Sequence, residues 1–328
     1  MNMALAAESR EHLLQIQAGA LGRKKGHKFE GELAQTINNL DFTNNLLTVD
    51  TTEGVYKGNP AILLLNFICS KFKSLGPFEN VTALSTGSIA TAEKELKTDI
   101  IFNGKRITRT KSDLILLFEN VEGDTFTFGV STKQCNTKSP TNAQLFFTTA
   151  SKFCGHLRNH GFEIPHNAEV ELKKFCGDKG FTPNDFGIAN RQVDPRRFFW
   201  EELEPSGKDF WETLFSDNQD QISNILFRKA YKDDPLEPTF ILHKTRKIED
   251  QTAQEYAIYD LDDLLLLSRK YRGFEKNLYQ VNKGSYRDPR DIFHEAPRFG
   301  IIQMQRGGQK QHPTQLQFNL EAGYFYKI

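Results

Sequence analysis

Two apolar, β-prone runs in the middle of the chain flank a short polar segment. The first run covers residues 111–118 and the second covers residues 126–133. The segment between them contains Asn120, Gly123 and Asp124, which are residues that favour tight turns. The pattern therefore predicts a β-hairpin.

The register of this hairpin follows from its turn. A turn centred near Glu122 and Gly123 places Asp113 opposite residues 131–132, one step from Lys133. An acid at the start of one strand is then beside an ammonium at the end of the next. On a solvated sheet face such a pair contributes only roughly a few tenths of a kcal/mol, so the pair alone does not establish a functional site.

An apolar stripe predicts a helix that begins near Gly26. The stripe spans about 80° at 100° per residue and consists of Phe29, Leu33, Ile37 and Leu40. Glu30 lies at the edge of the stripe beside Ile37, whereas Glu32 points further away. A carboxylate at the rim of a core needs a partner, which is either a metal ion or solvent.

Other patterns predict the remaining elements. Further helices are expected at residues 61–72, 141–160, 209–230 and 261–269, further strands at residues 99–102 and 239–244, and a loop at residues 80–87. Asp99 starts a strand that ends at the Asn103-Gly104 turn signal, so it is an alternative to Asp113. Asp113 is preferred because only its strand is joined to the strand of Lys133 by a short turn.

Composition is that of a globular protein. The 328 residues are 38% hydrophobic and 26% charged, and no apolar run approaches the roughly 20 residues that span a bilayer. Glu8 and Glu11 interrupt any signal-peptide core, so a cytoplasmic protein without membrane association is expected. The four cysteines form no C-x-x-C pair, which argues against a zinc site or a disulfide framework.

Charge is balanced, with 42 basic and 42 acidic residues, so a nucleic-acid site would need a local basic patch. Two clusters are candidates for phosphate contacts. The first consists of Arg23, Lys24, Lys25 and Lys28, and the second of Lys105, Arg106, Arg109 and Lys111. Charge runs of this kind are more often solvated faces than binding sites.

A second hairpin is predicted late in the chain, between residues 301–308 and 314–318. In a period-two pattern Gln303 and Gln305 share one face, and Gln315 and Gln317 share the corresponding face of the returning strand. A glutamine ribbon beside Arg306 suits readout of base edges, glutamine with adenine and arginine with guanine. An ordinary polar solvent face is the alternative.

The central motifs resemble those of the PD-(D/E)xK nuclease superfamily, in particular its type II restriction endonucleases. The signature is an Asp that opens one strand and an acid-x-Lys that closes the next, here Asp113 and residues 131–133. Residues 22–30 are similar to the start of the first core helix, which often supplies a Glu. Residues 301–308 and 314–318 are similar to a late hairpin of several such enzymes. The chain departs from the pattern at Ser131, where an acid is usual.

The resemblance implies an α/β fold: a restriction-endonuclease-like core with a mixed central β-sheet flanked by helices, and a C-terminal elaboration. Residues 1–180 are expected to form the nuclease core, and residues 181–328 to pack on it and supply DNA recognition and dimer contacts. The implied partner is double-stranded DNA, cut by a homodimer. The implied cofactor is Mg²⁺, with no small-molecule cofactor.

The resemblance also suggests a role for each site residue. Asp113 and Glu30 would hold the metal ion together with the carbonyl oxygen of Thr132. Lys133 would position the attacking water or neutralise phosphate charge, and Ser131 would hold a metal-bound water. Gln144, near the start of the predicted helix after Lys133, is a further candidate for DNA contact.

Two other functions remain open. A sequence-specific DNA-binding protein on a catalytically decayed nuclease scaffold would fit the serine at position 131. A repair nuclease that recognises DNA structure would cut without a fixed site.

Overall fold

The computed structural model describes a large part of the chain in separate stretches. These are residues 26–41, 54–86, 101–102, 104–107, 110–135, 137–139, 142–188, 194–246, 248–250, 253–280, 290–306 and 314–321. Asp99, Asn103 and the N-terminal residues before Gly26 lie outside the described residues. No helix within the described stretches combines the length and apolar character that crossing a membrane requires.

Contacts divide the chain into two compact units that interleave in sequence. Among the described residues, the first unit comprises those within 144–226 and 267–320, and the second comprises those within 26–143 and 227–266, with residue 321. The domain boundary expected at residue 180 stays a prediction.

Strands are numbered in chain order. They are β1 (Gly54–Lys57), β2 (Phe78–Ser85), β3 (Ile101–Phe102), β4 (Lys105–Arg106), β5 (Leu114–Asn120), β6 (Thr125–Gln134), β7 (Ala143–Thr149), β8 (Pro238–Lys244), β9 (Glu255–Asp260), β10 (Phe274–Gln280), β11 (Phe293–Phe299), β12 (Ile302–Arg306) and β13 (Gln315–Leu320).

Helices are numbered in the same way. They are α1 (residues 26–38), α2 (Pro60–Lys71), α3 (Ala150–Asn159), α4 (His166–Cys176), α5 (Pro205–Asp217), α6 (Gln219–Arg228) and α7 (Leu261–Ser268).

The second unit contains a six-stranded sheet in the order β1-β9-β8-β6-β5-β2. Strand β6 runs parallel to β8, and the other neighbours are antiparallel. The predicted α/β fold with a mixed central sheet is confirmed. Strands β3 and β4 form the separate short hairpin that the Asn103-Gly104 signal predicted.

Helices α1 and α2 cover one face of this sheet. Leu33 and Ile37 of α1 and Leu64 of α2 are buried in one cluster with Leu116 and Val130 of the sheet. Burying a leucine or isoleucine side chain contributes about 1.5–3 kcal/mol, so this contact fixes α1 against the sheet. The amphipathic stripe predicted for α1 is confirmed.

The central hairpin has the predicted register. Leu114 of β5 lies opposite Val130 of β6. The turn is held by the Asn120 side chain, whose Oδ1 accepts from the backbone N–H of Glu122 at 3.0 Å and of Asp124 at 2.8 Å. Because this turn is local and well specified, the side chains that flank it could be placed from sequence.

The first unit contains a five-stranded sheet in the order β10-β11-β12-β13-β7. Its core is aromatic, with Phe215 stacked on Phe299 at 4.5 Å between ring centroids and Phe153 packed on Phe318 at 4.6 Å. Trp211 is fully buried and donates its indole N–H to the carbonyl of Ala168 at 2.8 Å.

Three predicted elements are wrong. Residues 80–87 are not a loop, since β2 occupies most of them; Asn80 and Thr82 lie on its exposed face while Val81 is buried. The helix predicted from residue 141 starts only at Ala150, because residues 143–149 form β7. The helix predicted at 209–230 is two helices, since α5 ends at Asp217 and α6 begins at Gln219.

Candidate active site

The candidate site lies in the second unit, where β6 continues past the start of β5. Strand β5 begins at Leu114, so Thr132 of β6 has no β5 residue opposite it in the ladder. Asp113 fills this place: its backbone N–H donates to Val130 O at 2.9 Å, and its Oδ2 accepts the Thr132 N–H at 2.7 Å. The carboxylate is therefore fixed at the open end of the strand pair.

Lys133 completes a compact polar cluster around Asp113. Its Nζ donates to Ser131 Oγ at 2.7 Å and to the Thr132 carbonyl oxygen at 3.0 Å, and it lies 3.6 Å from Asp113 Oδ2. The Ser131 hydroxyl donates to the same Oδ2 at 3.1 Å. The structure thus brings Asp113, Ser131 and Lys133 together, with Ser131 between the two charges.

Glu30 reaches the same strand from α1. Its Oε1 accepts from Thr132 Oγ1 at 3.1 Å. Its Oε2 is buried and has no hydrogen-bond partner, and His27 Nδ1 of the same helix lies 3.4 Å from it. Burial, and then the charge of Asp113, raise the pKa of Glu30, and the Thr132 hydroxyl and His27 offset this only in part.

The donor set fits a hard divalent cation better than a closed metal centre. Asp113, Glu30 and the Thr132 carbonyl offer oxygen atoms, which Mg²⁺ prefers, and the bare Oε2 of Glu30 is a buried atom that a cation would neutralise. Within the described stretches no group of three or more His, Cys, Asp or Glu side chains is arranged to hold a metal ion. A bound Mg²⁺ would therefore keep several waters.

The segment that leads into β5 is anchored by buried Asp234. Its Oδ1 accepts from Thr110 Oγ1 at 2.9 Å and from Leu236 N at 3.2 Å, and its Oδ2 accepts from Lys111 N at 2.7 Å and from Ala230 N at 3.3 Å. One side chain thus fixes the backbone two residues before Asp113. Sequence reasoning missed Asp234, because nothing near it in the chain marks its distant partners.

His243 is the second residue that sequence reasoning missed. It lies beside Lys133 in the parallel pairing of β6 and β8 and is almost completely buried. Burial, and then the Lys133 charge, lower the pKa of His243 to about 3. The imidazole is therefore neutral at physiological pH, and an uncharged ring lies next to Lys133.

Lys111 adds a second amine to this region. Part of its side chain reaches solvent, but burial and then the Lys133 charge lower the pKa of Lys111 from 10.5 to about 7. The Lys111 amine therefore interacts with the Lys133 ammonium and with the carboxylates of Asp113 and Asp234.

We expect the low pKa of Lys111 to be visible in stability. Between about pH 7 and about pH 10.5 the unfolded chain binds the Lys111 proton more than the folded chain does, so the free energy of unfolding should rise with pH in this window. Lys111→Met should remove this contribution. Urea unfolding of both proteins at several pH values measures it, and parallel pH profiles would contradict the prediction.

The other predicted basic contacts are mostly untested. Arg23, Lys24, Lys25 and Arg109 lie outside the described residues. Lys28 is exposed and pairs with Glu32 at 3.5 Å along α1.

Gln144 is not at the start of a helix. It is an exposed residue of β7, in the first unit, whereas the polar cluster belongs to the second unit. Ala143 and Leu145 are buried while Gln144 between them is exposed, which is the period of a strand, and α3 begins only after Thr149, the last residue of β7, whose side chain caps it.

The glutamine ribbon exists in the first unit as predicted from the period-two pattern. Gln305 of β12 lies opposite Gln317 of β13, and the side chain of Gln305 donates to Gln303 and accepts from Asn319 at 3.0 Å. Leu316 between these positions is fully buried on the other face. Hydrogen bonds connect Gln303, Gln305 and Asn319, and the four glutamine side chains are half-buried.

Arg306 does not lie beside this ribbon. Strand alternation turns it to the opposite face, where its guanidinium donates to the Phe198 carbonyl and lies 4.5 Å from the centre of the Phe199 ring and 5.2 Å from that of Phe175. Its planar cation is already engaged by aromatic faces and a carbonyl, so the structure does not present it as a guanine-reading group with the glutamines.

Comparisons with known proteins give a distant likeness to solved structures. No family model and no curated protein matches the chain. A crystal structure of the restriction endonuclease MspI in complex with its cognate DNA is similar over 80% of this chain and 80% of that chain, with a TM-score of 0.39 and 12% sequence identity. At this level the likeness establishes neither common descent nor a shared activity, so the function of this chain is inferred from its own residues.

Proposed function

We propose that the protein is a divalent-metal-dependent endonuclease that hydrolyses phosphodiester bonds of double-stranded DNA at a specific site, as type II restriction enzymes do. The observation that carries the proposal is the cluster at the open end of β6. There the Asp113 carboxylate, the Lys133 ammonium and the Glu30 carboxylate lie around residues 131–133 of β6.

Each residue of the cluster would have a role in phosphodiester hydrolysis. A bound Mg²⁺, held by Asp113, Glu30 and the Thr132 carbonyl, would supply Lewis acidity and a bound water of lowered pKa. The Lys133 ammonium, 3.6 Å from Asp113, is placed to neutralise charge that develops on the phosphate or to orient the attacking water. The Thr132 N–H and the Ser131 hydroxyl hold the Asp113 carboxylate in one orientation.

Ser131 would have a different role from the acidic residue that is usual at this position of the acid-x-Lys pattern. A hydroxyl is too weakly acidic to act as a carboxylate ligand, and here it links Asp113 to Lys133. Glu30 supplies the second carboxylate in place of residue 131. We expect Ser131 to hold a metal-bound water when the ion is present.

Recognition is assigned to the glutamine ribbon. Glutamine amides pair with the major-groove edge of adenine through one donor and one acceptor, and Gln303, Gln305, Gln315 and Gln317 share one face of the late hairpin. Lys111 contributes phosphate contact beside the site. A homodimer, with one site for each DNA strand, would cut both strands.

Incubation of the protein with supercoiled plasmid tests the proposal. Discrete fragments that form with Mg²⁺, disappear with EDTA and have fixed ends on sequencing are the expected result. Fragments with scattered ends would indicate a structure-specific nuclease instead. Tight, sequence-dependent DNA binding without any cleavage would favour the decayed scaffold, in which Ser131 marks lost catalysis.

Glu30 and Glu32 form a matched pair of variants for the metal site. Glu30→Gln should lower Mg²⁺-dependent cleavage by roughly 10²-fold or more, because it removes a charge next to the bound ion. Glu32→Gln, on the solvent side of the same helix and paired with Lys28, should cut at close to the wild-type rate. Initial rates over a Mg²⁺ series measure both, and equal rates for the two variants would remove Glu30 from the site.

A further inference from the structure

Helix α1 presents a nitrogen and an oxygen atom side by side. His27 and Glu30 are one helical turn apart, and His27 Nδ1 lies 3.4 Å from Glu30 Oε2. The Glu30 side chain is 10% exposed and the His27 side chain is 49% exposed, so the pair links the buried edge of the site to solvent.

The two atoms are at ion-pair distance. Glu30 Oε2 is buried and makes no hydrogen bond of good geometry, whereas Oε1 of the same carboxylate accepts from Thr132. A carboxylate oxygen at this depth is costly unless a positive charge lies close to it.

The spacing of the two atoms suits a single metal ion. Two ligand atoms each about 2.0–2.1 Å from a tetrahedral ion lie about 3.4 Å apart. Imidazole nitrogen favours transition ions such as Zn²⁺ and Co²⁺, whereas Mg²⁺ takes oxygen ligands. One nitrogen and one oxygen donor therefore select against Mg²⁺ at this position.

We infer that His27 and Glu30 form a binding position for a divalent transition ion at the α1 end of the site, which shares Glu30 with the proposed Mg²⁺ set of Asp113, Glu30 and the Thr132 carbonyl and differs from that set in metal preference because of His27. Water or a DNA phosphate oxygen supplies the remaining ligands. The inference rests on the proposed function only in placing the metal position beside a hydrolytic centre. Binding of the transition ion itself requires no hydrolysis.

Co²⁺ is the probe, because its visible absorption strengthens when it leaves the octahedral coordination of water. The full chain is titrated with Co²⁺ in wild-type form and as His27→Ala, His27→Gln and Lys28→Ala. Lys28 is the matched control, as it is the next residue on the same helix and points to solvent. Mg²⁺ binding by the same proteins is followed by calorimetry.

Both His27 variants should weaken Co²⁺ binding at least about tenfold and change Mg²⁺ binding by less than about twofold, while Lys28→Ala changes neither. Zn²⁺ should displace Co²⁺ from the wild-type protein at equimolar amounts, and excess Mg²⁺ should not. Unchanged Co²⁺ binding in the His27 variants, or an equal loss of Co²⁺ and Mg²⁺ binding, would overturn the inference.

Failure of the proposed function gives a different pattern. If the wild-type protein shows the His27-dependent Co²⁺ spectrum but never cuts plasmid DNA, the metal position stands and the proposed nuclease function is wrong. If instead the protein cuts with Mg²⁺ and both His27 variants bind Co²⁺ as tightly as wild type, the proposed nuclease function stands and the proposed metal position is wrong.

Discussion

Lys133→Ala should cut DNA roughly 10²- to 10³-fold more slowly than wild type while binding the same DNA within about threefold of the wild-type affinity. The reason is that the ammonium lies 3.6 Å from Asp113, where under the proposed function charge on the phosphate would develop in the transition state, so its contribution would be greatest there. Gel-shift titration in the absence of metal and digestion rates with Mg²⁺ measure the two quantities separately.

Lys138→Ala is the control for this experiment, since Lys138 is an exposed lysine shortly after β6. It should match wild type in both assays. If Lys133 were only a cross-strand partner of Asp113, its removal would slightly lower the stability of the fold and leave cleavage intact. Wild-type cleavage by Lys133→Ala would therefore exclude this hairpin as the active site.

The second large effect concerns stability rather than chemistry. Asp234→Ala should lower the free energy of unfolding by about 3 kcal/mol or more, because it leaves several buried donors without an acceptor, among them the backbone N–H groups of Lys111 and Leu236. Denaturant unfolding followed by circular dichroism measures the change.

Asp233→Ala separates this effect from a general loss of charge. Asp233 is the preceding residue in the chain and is exposed, so its removal should change the free energy of unfolding by no more than about 0.5 kcal/mol. Asp234→Asn, which keeps acceptor oxygen on the side chain, should fall between the two. Equal stability of the Asp233 and Asp234 variants would contradict the anchoring role.

The parts of the site that could be predicted depend on short-range signals. The turn at Asn120 and Gly123 fixes the register of β5 and β6, and with it the approach of Asp113 to residues 131–133. The apolar stripe of α1 fixes the side on which Glu30 stands. In both cases the periodicity of a single element carries the information.

What could not be predicted depends on partners that are far apart in the chain. The parallel strand β8 brings His243 to Lys133, and no local pattern in β6 identifies that strand. The same holds for Asp234, whose carboxylate accepts from the backbone N–H groups of Lys111 and Ala230, which are far apart in the sequence. The prediction fails at β2 because polar side chains on an exposed strand face resemble a loop. It fails at β7 because Phe146 and Phe147 also fit the apolar side of the helix that follows.

The parallel pairing of β6 with β8 has a consequence for the order in which the protein is made. Asp113 and Lys133 are synthesised early, whereas β8 is synthesised only after α3, α4, α5 and α6. Until then one edge of β6 has no neighbouring strand, and an unpaired edge is a template for pairing with another chain. A nascent chain would thus carry its polar cluster on an open edge, and only the arrival of residues 238–244 would convert that hairpin into an enclosed site.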